Sequence, residues 1–277
     1  MIRRQARLRR EFLLKTCVGN LLNKKIGKGI TMVSEDHLPR AMDSGRVKDF
    51  DIDEYKYAGS RTPKVVITTS HNPSATLKMF VKELRLVFPN SQRMNRGQCD
   101  VKQLMRICCS NDVTDIIVVH EHRGIPDNLV ISHLPNGPTA FFNISGVIMR
   151  HDVGSIVNIK EQTPHLVFHN FVTKIGERAT QILKHLFPVP KLDTKRVITF
   201  ANNNDYISFR HHIFQYVNKE LELTELGPRF QLRLYEIKMG KLDDVRASET
   251  EWVLRPYINS SVKKIVLSNE NGWEDDD

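Results

Sequence analysis

The sequence predicts an α/β fold, of the α+β kind, that is built from two similar halves. One pattern occurs twice: an apolar strand after a proline, a helical stretch, and a closing Phe-Pro. The strand follows Pro63 in the first copy and Pro164 in the second. Each copy then continues through strand-like sequence to a Gly-Pro corner, Gly137-Pro138 in the first and Gly227-Pro228 in the second. This repetition predicts two α/β halves packed with pseudo-two-fold symmetry.

The first half begins with the strand Val65–Ile67, and a helix follows it. Ser70 or Asn72 is the expected N-cap, with Pro73 in the first turn, because a short polar side chain before a proline is typical of helix starts. Apolar residues then recur at helical spacing from Leu77 onward and predict the buried face of this helix. Another face is cationic, with Lys78, Lys82 and Arg85.

The rest of the first half predicts a loop, a short helix and a hairpin. The loop is Gln92–Gly97, and the helix after it ends near Cys109. The strands Asp115–His120 and Asn128–His133 form a hairpin around a turn that contains glycine and proline. The strand Thr139–Ile144 follows the Gly-Pro corner.

The second half repeats these elements. Its helix buries an apolar stripe that includes Ala179 and Ile182, and its hairpin pairs Arg196–Phe200 with Asp205–His211. After Pro228, apolar residues alternate with polar ones, so that one face of the strand belongs to the core and the other is basic. The apolar set is Phe230, Leu232 and Leu234, and the other set is Arg229, Gln231, Arg233 and Tyr235.

The charge is unevenly distributed and predicts the domain organisation. Residues 1–28 carry five Arg and four Lys against one Glu, and they form a basic, partly helical arm. Residues 29–59 form an acidic linker or partner-docking segment, 60–160 the first half, 161–268 the second half, and 269–277 an acidic tail. Within the linker, apolar side chains among carboxylates predict docking on a protein. These partner-binding candidates are Phe50, Ile52, Tyr55 and Tyr57.

The net charge of +9 makes a polyanion such as nucleic acid the first partner to consider. Surface charge that merely keeps the protein soluble is the alternative, and a mitochondrial transit peptide is an alternative for the arm. No apolar run is long enough to span a bilayer. The four cysteines form no C-x-x-C pair, which favours a reducing compartment over a disulfide framework or a zinc ribbon.

Motifs for catalysis are missing from the sequence. Neither a nucleotide-binding P-loop nor a nucleophile elbow is present, so we expect no enzyme activity and no cofactor. His120, His122 and His133 could be brought together by the first hairpin, but no carboxylate has the spacing of a zinc motif, and we expect no metal.

Cations and hydrogen-bonding side chains cluster at bends instead, where short backbone segments can approach a ligand. A helix N-terminus after Ser70 would also attract a phosphate. Ordinary capping and strand-end solvation are the alternative for any one of these residues. The RNA-binding candidates are Thr69, Ser70, Lys78, Lys82, Arg93, Asn95, Arg96, Arg123, Arg150, His151, Arg196, Arg210, Arg229 and Arg233.

Several of these segments resemble the Brix-domain family of ribosome-assembly proteins. The resemblance is carried by Ile67–Ser70, Gln92–Gly97 and Gly227–Phe230, and it covers about residues 55–267. Longer blocks, Val118–Gly124, Met149–Asp152 and Val197–Asn202 with Asp205–His212, are similar to the member that belongs to the U3 small nucleolar ribonucleoprotein. Residues 16–33 depart from the family pattern of a longer, more continuously charged helix.

The resemblance implies two anticodon-binding-like halves that bind RNA without catalysis, in the nucleolus of the nucleus. It implies a factor of the small-subunit processome that helps the U3 small nucleolar RNA engage the pre-rRNA during 18S rRNA maturation. The implied protein partners are an acidic scaffold protein and a small ribosomal-protein-like protein of the same complex, with no membrane. It also places an RNA-binding signature at Gly227–Phe230 and Arg233. Two alternatives are an enzyme subunit with an anticodon-binding-like, tRNA-binding domain, and a scaffold that binds only proteins.

Overall fold

The computed structural model describes residues 54–55, 58–154, 162–191, 193–217, 220–245, 247–255 and 265–268. The predicted basic arm and acidic tail lie outside these residues, as do Phe50, Ile52 and Tyr57 of the linker. The chain divides into two compact units, residues 51–214 with 224–277 and residues 1–50 with 215–223. Of the smaller unit, the structure describes only 215–217 and 220–223, which are strand residues. Among the described helices, none combines the length and apolar character that crossing a bilayer requires.

The described residues form a mixed sheet and three α-helices. The helices are α1 Ala75–Val87, α2 Val101–Ser110 and α3 Lys174–His185. The strands are β1 Val65–Thr69, β2 Ser91–Arg93, β3 Asp115–His122, β4 Ile125–His133, β5 Thr139–Ile148, β6 His165–His169, β7 Arg196–Asn203, β8 Tyr206–Val217, β9 Glu220–Glu225, β10 Arg229–Lys238 and β11 Thr250–Val253. All of these elements belong to the larger unit except Gln215–Val217 of β8 and Glu220–Leu223 of β9.

The strand order of the first half is mirrored by that of the second half on the other side of the sheet's centre. The order is β2-β1-β3-β4-β5-β10-β8-β7-β6, with β11 paired to β10 and β9 to β8. In the first half a parallel pair, β1 and β3, is followed by the antiparallel strands β4 and β5. In the second half β6 and β7 are the parallel pair, followed by β8 and β10. The halves meet where β5 pairs with β10, so the predicted duplication is confirmed at the level of topology.

The core between the halves lies on the face of the sheet that α1 and α3 cover. Both repeats close on a phenylalanine, and these two rings, Phe88 and Phe187, stack with their centroids 5.0 Å apart. Phe209 and Phe230 stack at 4.5 Å beneath the helices, and Phe80 of α1 meets Phe230 edge-on. Aromatic pairs at these distances add about 0.5–1.5 kcal/mol each beyond the apolar area they bury. The helices and the central strands therefore hold each other in place.

A second core lies on the opposite face, in the first half only. There α2 packs Leu104, Met105 and Cys108 against residues of β1, β3 and β4. Cys108 is 1% exposed, so its role is packing.

Positive backbone angles form the turns of the two predicted hairpins, and both turns are shorter than predicted. The flanking strands run to His122 and from Ile125 in the first hairpin, and to Asn203 and from Tyr206 in the second. In the first, Arg123 and Gly124 have φ of 52° and 80°. In the second, Asn204 and Asp205 have φ of 52° and 64°. Two consecutive residues with positive φ are typical of the tight type I′ turn, whose twist matches that of the strands.

The predicted start of the first helix is wrong by two to four residues. The N-cap of α1 is Ser74, whose hydroxyl oxygen accepts a hydrogen bond from the Leu77 N–H at 3.1 Å. Asn72 has a φ of +49° and turns the chain before the helix begins. The polar residues Ser70 and Asn72 therefore belong to the connecting loop.

Candidate nucleic-acid interface

The second half of the sheet has a polar face. Along β10 the even-numbered residues from Phe230 to Leu234 are buried, whereas Arg229, Gln231 and Arg233 are half-buried. This confirms the predicted alternation. Gln231 lies opposite Ser208 of β8, and Arg210 lies opposite Thr199 of β7. We call this surface the polar face, and it comprises Thr199, Ser208, Arg210, Arg229, Gln231 and Arg233.

The polar face exists because α2 covers only the first half. On the same side of the sheet, the first half places Val118 of β3 and Val130 of β4 beneath α2. Between α3 and β7 the described residues form no helix that could cover the second half in this way. Polar and cationic side chains can occupy this face because no helix of the described residues packs an apolar surface against it.

Two arginines of the polar face, Arg229 and Arg233, are only partly neutralised by the described residues. Arg229 pairs with Glu225 at 3.2 Å, while its Nε has no hydrogen-bond partner in the described part of the chain. The Arg210 guanidinium donates to the Phe209 carbonyl at 3.2 Å. Arg233 donates to the Tyr206 hydroxyl at 3.4 Å, and no carboxylate pairs with it among the described residues. This concentration of positive charge on strands is suited to a polyanion.

Three residues that sequence reasoning did not single out lie beside Arg233. The Arg233 guanidinium carbon lies 5.1 Å from the centroid of the Tyr206 ring, a cation–π contact. Asn143 of β5 lies directly opposite Arg233, and Asn128 of β4 lies opposite Asn143. The sequence does hold a signal for the two asparagines, because asparagine is depleted from strand interiors.

The loop Gln92–Gly97 is divided between surface and interior. Arg93 and Asn95 are exposed, and their contact with RNA stays a prediction. Arg96 is 7% exposed and its Nε donates to the Cys99 carbonyl at 3.4 Å. Burial and the charge of Arg96 lower the pKa of His120. Arg96 therefore points inward, and its predicted role as a surface RNA contact is wrong.

Other exposed candidates do not belong to the polar face. Lys78 and Lys82 lie on the solvent side of α1, which covers the opposite face of the sheet. Arg123 is exposed at the tip of the first hairpin. A contact by any of these residues would extend the interface beyond one surface.

The N-terminus of α1 already holds a carboxylate. Glu121 of β3 accepts a hydrogen bond from the Ser74 N–H at 2.7 Å, and the Ser74 hydroxyl donates to the other oxygen of the same carboxylate. A negative charge here satisfies the helix dipole and repels a phosphate. Thr69 is 6% exposed, and Ser70 lies before the helix start. The prediction that Thr69 and Ser70 form a phosphate site at this helix end is therefore wrong.

Arg150 and His151 brace the second Gly-Pro corner. The carboxylate of Glu83 on α1 accepts the Arg150 backbone N–H at 3.0 Å, and it lies 3.6 Å from His151 Nδ1. The Arg150 Nε donates to the Leu226 carbonyl at 3.2 Å, next to Gly227. These contacts give both residues a structural role, whereas contact with RNA stays a prediction for the exposed His151.

Arg196 is a buried structural cation, and its predicted contact with RNA is wrong. Its side chain is 2% exposed. It donates to the Leu86 and Val87 carbonyls at the end of α1, at 3.1 and 3.0 Å, and to the Gln162 carbonyl at 2.9 Å. Its Nε donates to Nε2 of His211 at 3.1 Å. No face of this guanidinium is left for a ligand.

Tyr55 packs within the chain, so its predicted use for docking a partner is wrong. Its ring lies 4.5 Å from the ring of His133 on β4 and 4.3 Å from that of His185 on α3. The neighbouring Glu54 accepts a hydrogen bond from Arg178 of α3 at 2.8 Å. Burial raises the pKa of Tyr55. Residues 54–55 therefore connect β4 to α3 through side-chain contacts.

Among the described residues, no group of three His, Cys, Asp or Glu is arranged to hold a metal ion.

The family model and the similar curated proteins agree on one family. The family model described as the Brix domain matches residues 70–236, which contain the whole polar face. The human protein named "U3 small nucleolar ribonucleoprotein protein IMP4" is 45% identical to this chain, over 98% of the chain and 100% of that protein. The Caenorhabditis elegans "Brix domain-containing protein ZK795.3" is 47% identical over the full length of both chains. The crystal structure of a probable ribosomal biogenesis protein from Aeropyrum pernix K1 covers 62% of this chain and 96% of its own, with a TM-score of 0.49 at 19% identity.

Proposed function

The chain belongs to the Brix-domain family, and from this premise we propose that it is an RNA-binding assembly factor of the U3 small nucleolar ribonucleoprotein. In this role it helps the U3 small nucleolar RNA engage the pre-rRNA during maturation of the small ribosomal subunit. The identity of 45% over 98% of the chain to a protein with that printed name is the observation that carries the proposal. The bovine and human relatives are named as proteins of the U3 small nucleolar ribonucleoprotein.

The polar face supports this function as the surface that meets RNA. Its three arginines lie on the adjacent strands β8 and β10, where their spacing is set by the sheet and not by a flexible loop. Arginine on a rigid strand can hold phosphate oxygens with two parallel hydrogen bonds. Each phosphate that is neutralised releases counterions, which supplies affinity without sequence preference.

The partners and location follow as parts of the same proposal. An acidic scaffold protein and a small ribosomal-protein-like protein would join the chain and the RNA in one complex in the nucleolus. Phe50, Ile52 and Tyr57 remain the proposed contacts with such a protein, since Tyr55 is used within the chain.

The salt dependence of RNA binding tests the role of the polar face. The full chain is titrated against a labelled single-stranded segment of pre-rRNA between 50 and 200 mM salt. We expect a loss of affinity on the order of a thousandfold if six or more phosphates are contacted. The double variant Arg210→Gln with Arg229→Gln removes two cations from the polar face. Its slope of log affinity against log salt should fall by about 1.4, which is about 0.7 for each contact with a single strand.

A matched control separates local contacts from net charge. Arg85→Gln with Lys184→Gln also removes two cations, from exposed positions on α1 and α3, the helices that cover the other face. This control should retain the wild-type slope. Equal losses in both double variants would overturn the polar face as the site. Wild-type protein without measurable RNA affinity would overturn the proposed function itself. Crosslinking of the protein to RNA in cells, followed by sequencing, identifies the RNA that is bound. Sequence reads that cluster outside U3 RNA and pre-rRNA would contradict the assignment.

A further inference from the structure

A row of polar side chains crosses the middle of the sheet from one half to the other. His120 of β3 lies opposite Asn128, Asn128 opposite Asn143, and Asn143 opposite Arg233. Tyr206 of β8 closes the row with its ring against Arg233. Directly paired residues point to the same face of a sheet, so these five side chains form one line. We call this line the cross-sheet row.

Every member of the row is accessible, and the strand residues beside them are not. Asn143 is exposed, and the other four are half-buried. Leu129, Phe142, Leu232 and Ile207, which alternate with them along the strands, are 0–4% exposed on the other face. The row spans five strands, or about 19 Å at the usual strand spacing of about 4.8 Å. That length equals about six nucleotides of a stacked strand at about 3.4 Å each.

Most of the row is neutral. Two amides and a phenol carry no charge at neutral pH, and burial, with the nearby Arg96, lowers the pKa of His120 so that its imidazole is neutral as well. Neutral amides and imidazoles offer a donor and an acceptor side by side, which matches the edge of a nucleobase better than a phosphate. Arg233 and Tyr206 offer stacking surfaces, because a guanidinium plane and an aromatic ring both bind the flat face of a base.

Two polar atoms of the row are buried and unsatisfied by the described residues. Asn128 Nδ2 donates to the Tyr235 hydroxyl at 2.9 Å, but the buried Asn128 Oδ1 and the buried Arg233 Nε have no partner among the described residues. Asparagine is also disfavoured inside strands, so two asparagines on neighbouring strands oppose local propensity. Residues whose local structural preference opposes the fold are expected at functional sites.

We propose that the cross-sheet row binds the unpaired bases of single-stranded RNA, while the arginines of the polar face beside it hold the phosphates. The proposal rests on the proposed RNA-binding function and adds its ligand class: a single strand whose bases are splayed onto the sheet. Tyr206 stacks a base, and Asn143 and Asn128 contact base edges. A duplex cannot bind in this way, because its bases are already paired and stacked.

The experiment compares a single-stranded RNA of ten nucleotides with a blunt duplex of the same sequence, using the full chain. Tyr206→Leu should lower affinity for the single strand by about 5- to 150-fold, the usual range for loss of one aromatic stacking platform. Tyr206→Phe retains the ring and should bind within about threefold of wild type. Asn143→Ala should also weaken single-strand binding, whereas Asn136→Ala, at an exposed turn outside the row, should not.

The slope against salt distinguishes bases from phosphates. Tyr206→Leu and Asn143→Ala should keep the wild-type slope, because they remove no phosphate contact. Equal weakening of single strand and duplex, or a slope reduced by about 0.7, would overturn the row as a base site. Wild-type affinity in both variants would do the same, even if the Arg210 and Arg229 double variant still weakens binding. In that case the proposed function stands and only the row fails.

Discussion

Replacing Arg196 by methionine should destabilise the fold without changing the RNA-binding surface. Methionine has a similar length, so the main loss is the guanidinium, which hydrogen-bonds three carbonyl oxygens and His211. Burial lowers the pKa of Arg196 to about 10, so the side chain is still cationic at neutral pH. Two of the carbonyls end α1, where a cation also complements the helix dipole.

The expected loss in the free energy of unfolding is about 2–4 kcal/mol. Each buried carbonyl that loses its partner costs about 1–3 kcal/mol. Removing a cation from the interior returns part of its desolvation cost, so the net value falls below the sum for three carbonyls. A loss of this size is a large part of the about 5–15 kcal/mol that stabilises a typical domain.

Urea denaturation followed by tryptophan fluorescence measures this loss, and RNA affinity is measured on the same preparation under folding conditions. Arg85→Met is the matched control, since Arg85 is exposed on α1 and should change stability by less than about 0.5 kcal/mol. The reasoning fails if Arg196→Met costs less than about 1 kcal/mol. It also fails if the folded variant loses RNA affinity, because that result would return Arg196 to the interface.

Three further predictions concern the same framework. Burial and the charge of Arg196 lower the pKa of His211 to about 3 in the folded chain. As the pH falls below about 6.5, His211 therefore binds a proton in the unfolded chain but not yet in the folded one. The stability from this neutral imidazole should therefore decline from pH 6.5 toward 3, and thermal melts at pH 7 to 4 should show a smaller decline for His211→Gln. Tyr55→Ala should cost about 3–5 kcal/mol by calorimetry, whereas Tyr55→Phe retains the ring contacts and should cost less than about 1.5 kcal/mol. Equal costs would contradict the packing role. Glu121→Gln should lower stability by about 0.5–2 kcal/mol in urea denaturation, because Ser74 and the start of α1 lose a charged acceptor. An unchanged midpoint would show that the carboxylate is not needed there.

The repeated elements could be predicted because their signals are local. A two-residue turn, an alternating strand or a helical stripe is specified by residues a few positions apart. The alternation around Arg233 therefore predicted its face, and each Gly-Pro corner predicted the strand that follows it, β5 or β10. The pairing of these two strands was not predicted. The predicted position of the N-cap of α1 was wrong because Ser70, Asn72 and Ser74 are all residue types that cap helices well. Only the positive φ of Asn72 selects the last of them.

The burial of cations could not be predicted in the same way. Arg196 begins a strand beside a loop, a position typical of a surface residue, but its carbonyl partners at Leu86 and Val87 lie 110 and 109 residues earlier in the chain. Tyr55 likewise stands in an acidic segment, and its ring contacts come from His133 and His185. Contacts at such separation depend on the packing of the two halves, which composition does not specify.

The junction of the halves gives the duplication a functional consequence. Asn143 on β5 and Arg233 on β10 face each other across the pair of strands that joins the halves. Neither half alone contains the cross-sheet row, since His120 and the asparagines come from the first and Arg233 and Tyr206 from the second. The helix α2 covers one end of this face and leaves the other end polar. Two copies of one fold thus form a continuous surface whose polar part extends across the junction, and the residues that differ between the copies decide which part of it is polar and which part α2 covers.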